Sequence, residues 1–334
     1  MMAKKSSLKV LILLTALLLT VIYLSLSLGY SHSSLTDLGR LLIGQGEQAQ
    51  NFIITQIRLP RILACLVGGG SLALAGVLLQ TLTRNPLADS GILGINAGAG
   101  LVMTIMIGLS ADTSLEATAS LPLFAMLGGA ATILLVYLVS LQKNHSINPN
   151  RLIITGVGIS SMLSGFMVAI LSLTDDNKMT SIISWLSGKI TGNDWTSLAI
   201  FAPLLIILWL LTFSRSRALN IMALNEQTAL ALGLRLQRER LITLSLATAL
   251  ASLSVVLVGN ITFVGLVAGH ISHRLLGSQH QNSLPASLII GMILLTSSDT
   301  IGRLLLVGTG IPTGIIVSVL GAPYFLYLML KTDK

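Results

Sequence analysis

Residues 62–82 read ILACLVGGGSLALAGVLLQTL, twenty-one consecutive positions without a charge. A helix of roughly 20 residues crosses the hydrocarbon core of a bilayer. This run is apolar on every face, so it reads as a membrane-crossing helix and not as one side of a soluble fold. Gly69, Ala73 and Gly76 recur along it at spacings of four and three. Such small residues let helix backbones approach closely where lipid removes the hydrophobic drive for association. Two readings of the stripe stand together: a packing seam, or a glycine-lined pathway that bends during transport.

Working outward, charge-free runs also extend from Val10 to Leu28 and from Trp195 to Phe213. Apolar segments centred near residues 18, 72, 100, 130, 162, 204, 250, 267, 290 and 320 predict about ten crossings. The eighth, Ile261–Leu276, is short. With 53% hydrophobic and 10% charged residues, the chain lacks the surface of a soluble domain. A β-barrel would show alternating segments of about ten residues, and these runs do not alternate. The fold class is therefore all-α, a polytopic membrane protein forming one domain over 1–334. The longest gaps, Ser31–Pro60 and Ser214–Arg240, have no room for a soluble domain. Lys4, Lys5 and Lys9 ahead of the first run also describe a secretory signal. The length of that run and the lack of an A-x-A-like site after it favour a retained first helix.

Basic residues set orientation. With a cytoplasmic N-terminus, Lys4, Lys5, Lys9, Arg84, Lys143, Arg151, Arg215, Arg217, Arg235, Arg238, Arg240, Arg274, Lys331 and Lys334 fall inside. Arg40, Arg58, Arg61, Lys178, Lys189 and Arg303 fall outside, a ratio of fourteen to six. Both termini are thus expected in the cytoplasm. The basic residues border apolar runs singly or in short clusters, which suits membrane lipid as a partner and not nucleic acid.

Much chemistry is missing. No G-x-x-x-x-G-K-[ST] loop occurs, since Gly188-Lys189 is followed by Ile190, and Gly156-x-Gly158 lacks the third glycine and the strand of a dinucleotide site. No catalytic residue and no cofactor is assigned. Cys65, the single thiol, reads as a small packing residue. His270 and His273, with His280 nearby, have no carboxylate or thiol beside them, so they read as packing or interfacial histidines and no metal is assigned. The apolar centres carry no Asp, Glu, Lys or Arg, whereas ion-driven transporters often keep an ionisable group near the midplane. Energy is therefore expected from another chain. An ion-coupled secondary transporter and a non-transporting scaffold are the rival classes.

The segment 214–240 holds one further signal, LNEQTALALG at 224–233, which reads as a two-turn helix. Asn225 caps it, Glu226 complements its dipole, and Gly233 suits a left-handed stop. Its Ala229 and Leu230 give it an apolar face. That face lies either on the chain's own membrane domain or against a soluble partner.

From Arg58 to Tyr327 the chain carries a series of motifs in a fixed order: Arg58-Leu59-Pro60-Arg61; Ala73 to Gln80 running on to Thr83-Arg84-Asn85-Pro86-Leu87-Ala88; Gly94-Ile95-Asn96-Ala97-Gly98-Ala99; Trp185-Leu186-Ser187-Gly188; Asn225 to Gly233; Phe263-Val264-Gly265-Leu266; and Gly321-Ala322-Pro323-Tyr324-Phe325. In these it resembles the permeases of ATP-binding-cassette importers for iron-siderophores, haem and cobalamin. The resemblance implies the type II importer permease fold with ten helices, in a bacterial cytoplasmic membrane. It further implies a second permease subunit, copy or paralogue, two cytosolic ATP-binding subunits and an extracytoplasmic solute-binding protein. Iron-siderophore is the substrate it favours, ahead of cobalamin or haem. Arg58, Arg61 and Arg303 correspond to arginines that receive the binding protein's acidic residues, and Asp299, one turn before Arg303, is placed to orient it. Asn225, Glu226, Ala229, Leu230 and Gly233 correspond to the segment seated in the ATPase. Gly69, Gly76, Gln80, Asn96 and Gly98 are assigned to the translocation pathway or its packing. Gly269 stands where the family usually has proline before His270, and His273 where histidine is unusual, so the local bend is an open point.

Overall fold

A computed structural model describes residues 2–28, 48–109, 121–141, 147–190, 194–305 and 311–332; Arg40, Lys143 and Lys334 lie outside them. The chain begins with helix α1, Met2–Ser27, and continues with α2, Gln48–Phe52, a π-helical turn at Ile53–Arg58, and α3, Leu59–Thr83. Pro60 accounts for the wide turn. It has no N–H for the carbonyl four residues back, and its ring crowds that carbonyl, so the backbone widens before α3 proceeds. Then come α4 (Ile95–Leu109), α5 (Leu121–Ser140), α6 (Pro149–Leu171), α7 (Asp176–Leu186), α8 (Trp195–Ser214), α9 (Ser216–Met222) and α10 (Glu226–Ala231). The last four are α11 (Leu236–Val258), α12 (Val264–Leu276), α13 (His280–Leu305) and α14 (Thr313–Thr332). No strand occurs among the described residues.

All ten predicted crossings are helices: α1, α3, α4, α5, α6, α8, α11, α12, α13 and α14. Seven are long and apolar enough to cross a membrane, and α4 and α14 carry shorter apolar stretches. The eighth is shorter than expected. Its helix starts at Val264, not Ile261, because Gly259 (φ 74) and Phe263 (φ 68) break the chain before it. Thirteen residues rise only about 20 Å, so α12 crosses part of the core alone.

The bundle is organised around α3, which packs most extensively against α13 and α11 and also against α12 and α8. Its glycines decide the spacing. A Cβ on Gly69 would lie 2.6 Å from the Gly291 carbonyl of α13, and one on Gly76 would lie 2.4 Å from the Gly265 Cα of α12. Backbones therefore touch at two levels of one helix. Gly98 of α4 meets the Gly128 carbonyl of α5 in the same way. At all three positions glycine serves close helix packing.

Gly269 is explained by its neighbour. A Cβ there would stand 2.4 Å from Gln80 Oε1, so glycine makes room for the Gln80 side chain while α12 continues unbroken to Leu276. The bend left open by the sequence does not occur.

Candidate functional site

At the start of α3 two helices bring charges together and a third adds a hydroxyl. Arg61 donates to Asp299 of α13 through Nε (3.0 Å to Oδ1) and Nη2 (2.8 Å to Oδ1), and Arg303 donates Nε to Asp299 Oδ2 at 3.0 Å. Thr313, at the head of α14, donates its hydroxyl to Asp299 Oδ1 at 2.9 Å. Asp299 is 1% exposed, whereas the side chains of Arg61 and Arg303 are 24% and 19% exposed. One acid faces two arginines, which leaves this triad with a net charge of +1 and its guanidiniums partly in solvent. Arg303 also reaches Ser25 Oγ of α1 at 2.8 Å.

Arg58 behaves differently. It is 4% exposed and donates to the Leu26 carbonyl at the end of α1, at 2.6 Å. The sequence placed it with Arg61 and Arg303 as an outward-facing group. Within the chain its guanidinium is turned inward and fastens the end of α1 to the π turn that precedes α3.

The other end of α3 leads to the second site. Arg84 follows its last turn and donates to the Met222 carbonyl of α9 at 3.3 Å. Arg61 and Arg84 are 23 positions apart, which puts about 35 Å of helix between the arginine triad and the segment beginning at α9. There, α10 is built as its sequence dictates. Asn225 Oδ1 accepts the Thr228 N–H at 2.7 Å, and Gly233 at φ 79 ends the helix. Glu226 pairs with Arg240 of α11 at 3.1 Å, so the short helix is tethered to a long one. Leu224, Leu230 and Leu232 are 43%, 54% and 58% exposed, while Ala229 is fully buried. Ala229 is therefore not on the outward face assigned to it from sequence. It is the inward anchor of α10, and Leu230 with Leu232 forms the surface.

Between these ends lie buried polar groups. Gln80 donates to the Gly265 carbonyl at 3.3 Å, and Asn96 donates to the Ile261 carbonyl at 3.1 Å, both against the broken start of α12. Asn96 Oδ1 accepts no hydrogen bond among the described residues. Gln80 also lines a cavity of about 460 Å³ with Thr81, Arg84, His270, His273 and His280. His280 bridges Thr81 Oγ1 and Asn220 Oδ1, each at 2.8 Å, which makes it a linking residue between α3 and α9. A second cavity of about 570 Å³ is lined by Ser187, Asn260, Thr262 and Ser318, residues that no sequence motif singled out as polar lining.

Asp89 stands in the connector between α3 and α4. It is 6% exposed, and its Oδ2 accepts the Phe263 N–H at 3.1 Å. Because α12 rises only about 20 Å from Leu276, this carboxylate sits well within the bundle. The group caps a helix start, where the N-terminal dipole favours a negative charge.

A model of the FecCD transport family matches residues 17–331. The chain belongs to the FecCD transport family. This FecCD permease is 36% identical over 321 residues to the iron(3+)-hydroxamate import system permease protein FhuG of Bacillus subtilis (strain 168), covering 95% of each chain. It is 35% identical over 338 residues to the iron-uptake system permease protein FeuC of the same organism, covering 100% of this chain and 99% of the other. It is 34% identical over 280 residues to the Fe(3+) dicitrate transport system permease protein FecD of Escherichia coli (strain K12), covering 84% and 86%. A solved structure described as an inward-facing conformation of a metal-chelate type ABC transporter matches with a TM-score of 0.81 at 30% identity, covering 97% of this chain and 99% of that one. The FecCD permease is thus a multi-pass membrane subunit of an ABC importer, a transporter and not an enzyme, and it works with an ATPase and a binding protein.

Proposed function

We propose that this FecCD permease carries an iron-siderophore complex across the cytoplasmic membrane of a bacterium. It does so as one of two permease subunits, energised by two cytosolic ATPases and supplied by an extracytoplasmic binding protein. The substrate reading is supported by relatives whose names specify ferric hydroxamate and ferric citrate import along nearly the whole chain. The division of labour rests on one observation: a partly exposed triad of two arginines and an aspartate and a capped helix with exposed leucines lie at opposite ends of α3. Arg61 and Arg303 receive the binding protein's carboxylates, which a planar guanidinium fork suits. Leu230 and Leu232 on α10 seat in the ATPase, and Asn225, Glu226 and Gly233 hold that helix in shape. The charge bias puts α10 in the cytoplasm with both termini. Replacing Cys65 and introducing single cysteines at Ser216 and Asn177 tests this: Ser216 is labelled only from inside and Asn177 only from outside. The Thr113 loop, another site for such labelling, lies outside the described residues.

The decisive experiment is uptake of radiolabelled iron by proteoliposomes holding the permease with its ATPase and loaded binding protein, offered as hydroxamate, catecholate or citrate chelates. ATP-dependent iron entry with at least one chelate is expected. Entry without ATPase would replace this reading by an ion-coupled one, and entry of cobalamin or haem alone would replace the substrate.

A further inference from the structure

We propose that Asp299 is the positioning residue of the outer docking site, presenting Arg61 and Arg303 as one rigid two-pronged receptor for carboxylates. The proposal rests on the docking reading above and adds a residue that never touches the partner. Both carboxylate oxygens are occupied: Oδ1 accepts from Arg61 and Thr313, and Oδ2 accepts from Arg303 at 3.0 Å and Arg61 at 3.2 Å. At 1% exposure Asp299 has no surface with which to recognise a protein. It acts through its arginines. A guanidinium has five N–H donors. Arg61 turns its Nε and Nη2 edge to Asp299, while Arg303 spends Nε on Asp299 and Nη2 on Ser25 Oγ. The Nη1 group of each takes part in neither set of bonds. Side-chain freedom, whose loss usually erodes an exposed ion pair, is already lost before the partner arrives, and preorganisation of this kind favours association.

The arrangement makes a prediction about sign. Asp299 lowers the charge of the triad from +2 to +1, so simple Coulomb attraction says that removing it tightens an acidic partner. In solvent that attraction is weak and screened. Ordering therefore outweighs it, and removal loosens docking.

The test uses the assembled transporter, permeases and ATPase together in lipid nanodiscs, with affinity for the binding protein measured at low and high salt. Asp299→Asn keeps the shape and removes the charge. Docking is expected to weaken roughly three- to fivefold, less than the tenfold of a 1.4 kcal/mol change, with a steeper salt dependence because two loose arginines now carry +2. Damage to the fold alone would weaken docking without steepening that dependence, and this outcome overturns the proposal, as does equal or tighter docking. Asp299→Glu, which restores the charge, is expected to recover part of the affinity. Should Asp299→Asn not assemble, Thr313→Val removes one donor from the same carboxylate without changing charge. A loss of about two- to threefold in the same direction is then expected, and unchanged docking overturns the proposal. Arg61→Ala with Arg303→Ala separates the two ideas. Unchanged docking there removes the docking reading and the proposal together, whereas lost docking there beside tightened docking in Asp299→Asn removes the positioning role alone.

Discussion

Helices α3 and α6 are both apolar enough to cross a membrane, yet 21 of the 25 residues of α3 are buried inside the chain against 4 of the 23 of α6. In water, apolarity and burial travel together. In lipid they separate, because the solvent is as apolar as the side chains and only close backbone contact distinguishes a protein neighbour from an acyl chain. Gly69 and Gly76 of α3 touch the backbones of α13 and α12, whereas a Cβ on Gly158 or Gly165 of α6 would meet nothing within 4 Å. Glycine in α3 is used by this chain. At Gly158 and Gly165 of α6 it is offered to whatever lies outside, while Gly156 of the same helix packs against the Ile92 carbonyl.

The sharpest way to break this contrast is a matched pair. Gly76→Leu drives a side chain into the Gly265 backbone and is expected to cost upwards of about 5 kcal/mol, in the range reserved for major core disruption. Gly158→Leu is expected to change the chain's own stability by under about 0.5 kcal/mol. Thermal unfolding in detergent reads both, and similar melting points would erase the distinction between the helices.

The same inside-outside test applies on a smaller scale to α10. Ala229→Asp buries an unpaired charge and should cost about 3 to 5 kcal/mol of local stability. Leu230→Asp leaves the fold intact and should abolish co-purification of the ATPase. If Ala229→Asp is harmless to the fold, Ala229 is not the anchor. Smaller again, Arg58→Ala strips a buried hydrogen bond from α1 and should lower stability by about 1 to 3 kcal/mol, with proteolysis of α1 as the readout. Smallest is Arg61→Ala, which removes one partly exposed partner of the binding protein and should weaken docking by only ~0.2 to 1 kcal/mol, measured by titration at low salt. A larger effect for Arg61 than for Arg58 would reverse the assignment of which arginine is structural.

Helix count and position were legible because the lipid core demands long apolar runs whatever the neighbours are. The cap at Asn225 and the stop at Gly233 were legible because capping is local: both partners of each hydrogen bond lie within a few residues. What escaped was non-local. Arg61 and Asp299 are 238 positions apart, and only the Asp299–Arg303 half of their triad has a sequence spacing to betray it. Ala229 was turned the wrong way because six helical residues give too little periodicity to separate an apolar face that packs inward from one that faces out. The burial of Asp89 escaped because it stands in a polar connector, and nothing in such a connector reveals that it folds back onto the start of α12. Arg58 was grouped with Arg61 through the motif they share, and a motif does not show that one of its arginines bonds the Leu26 carbonyl, 32 positions away.

The burial of α3 also has a consequence for the order in which the protein is made. Its partners arrive late: Ala73, for example, accepts a hydrogen bond from Ser287, 214 residues further along. At translation rates of about 5 to 20 residues per second, that separation is roughly 10 to 40 seconds of synthesis. Throughout that interval the newborn helix already resides in the bilayer with its Gly69–Gly76 seam empty. A stripe so well suited to close contact is then open to any other small-residue helix nearby, and the nascent permease needs either a sheltering insertion factor or fast synthesis of α11 to α13 to reach its own partners first.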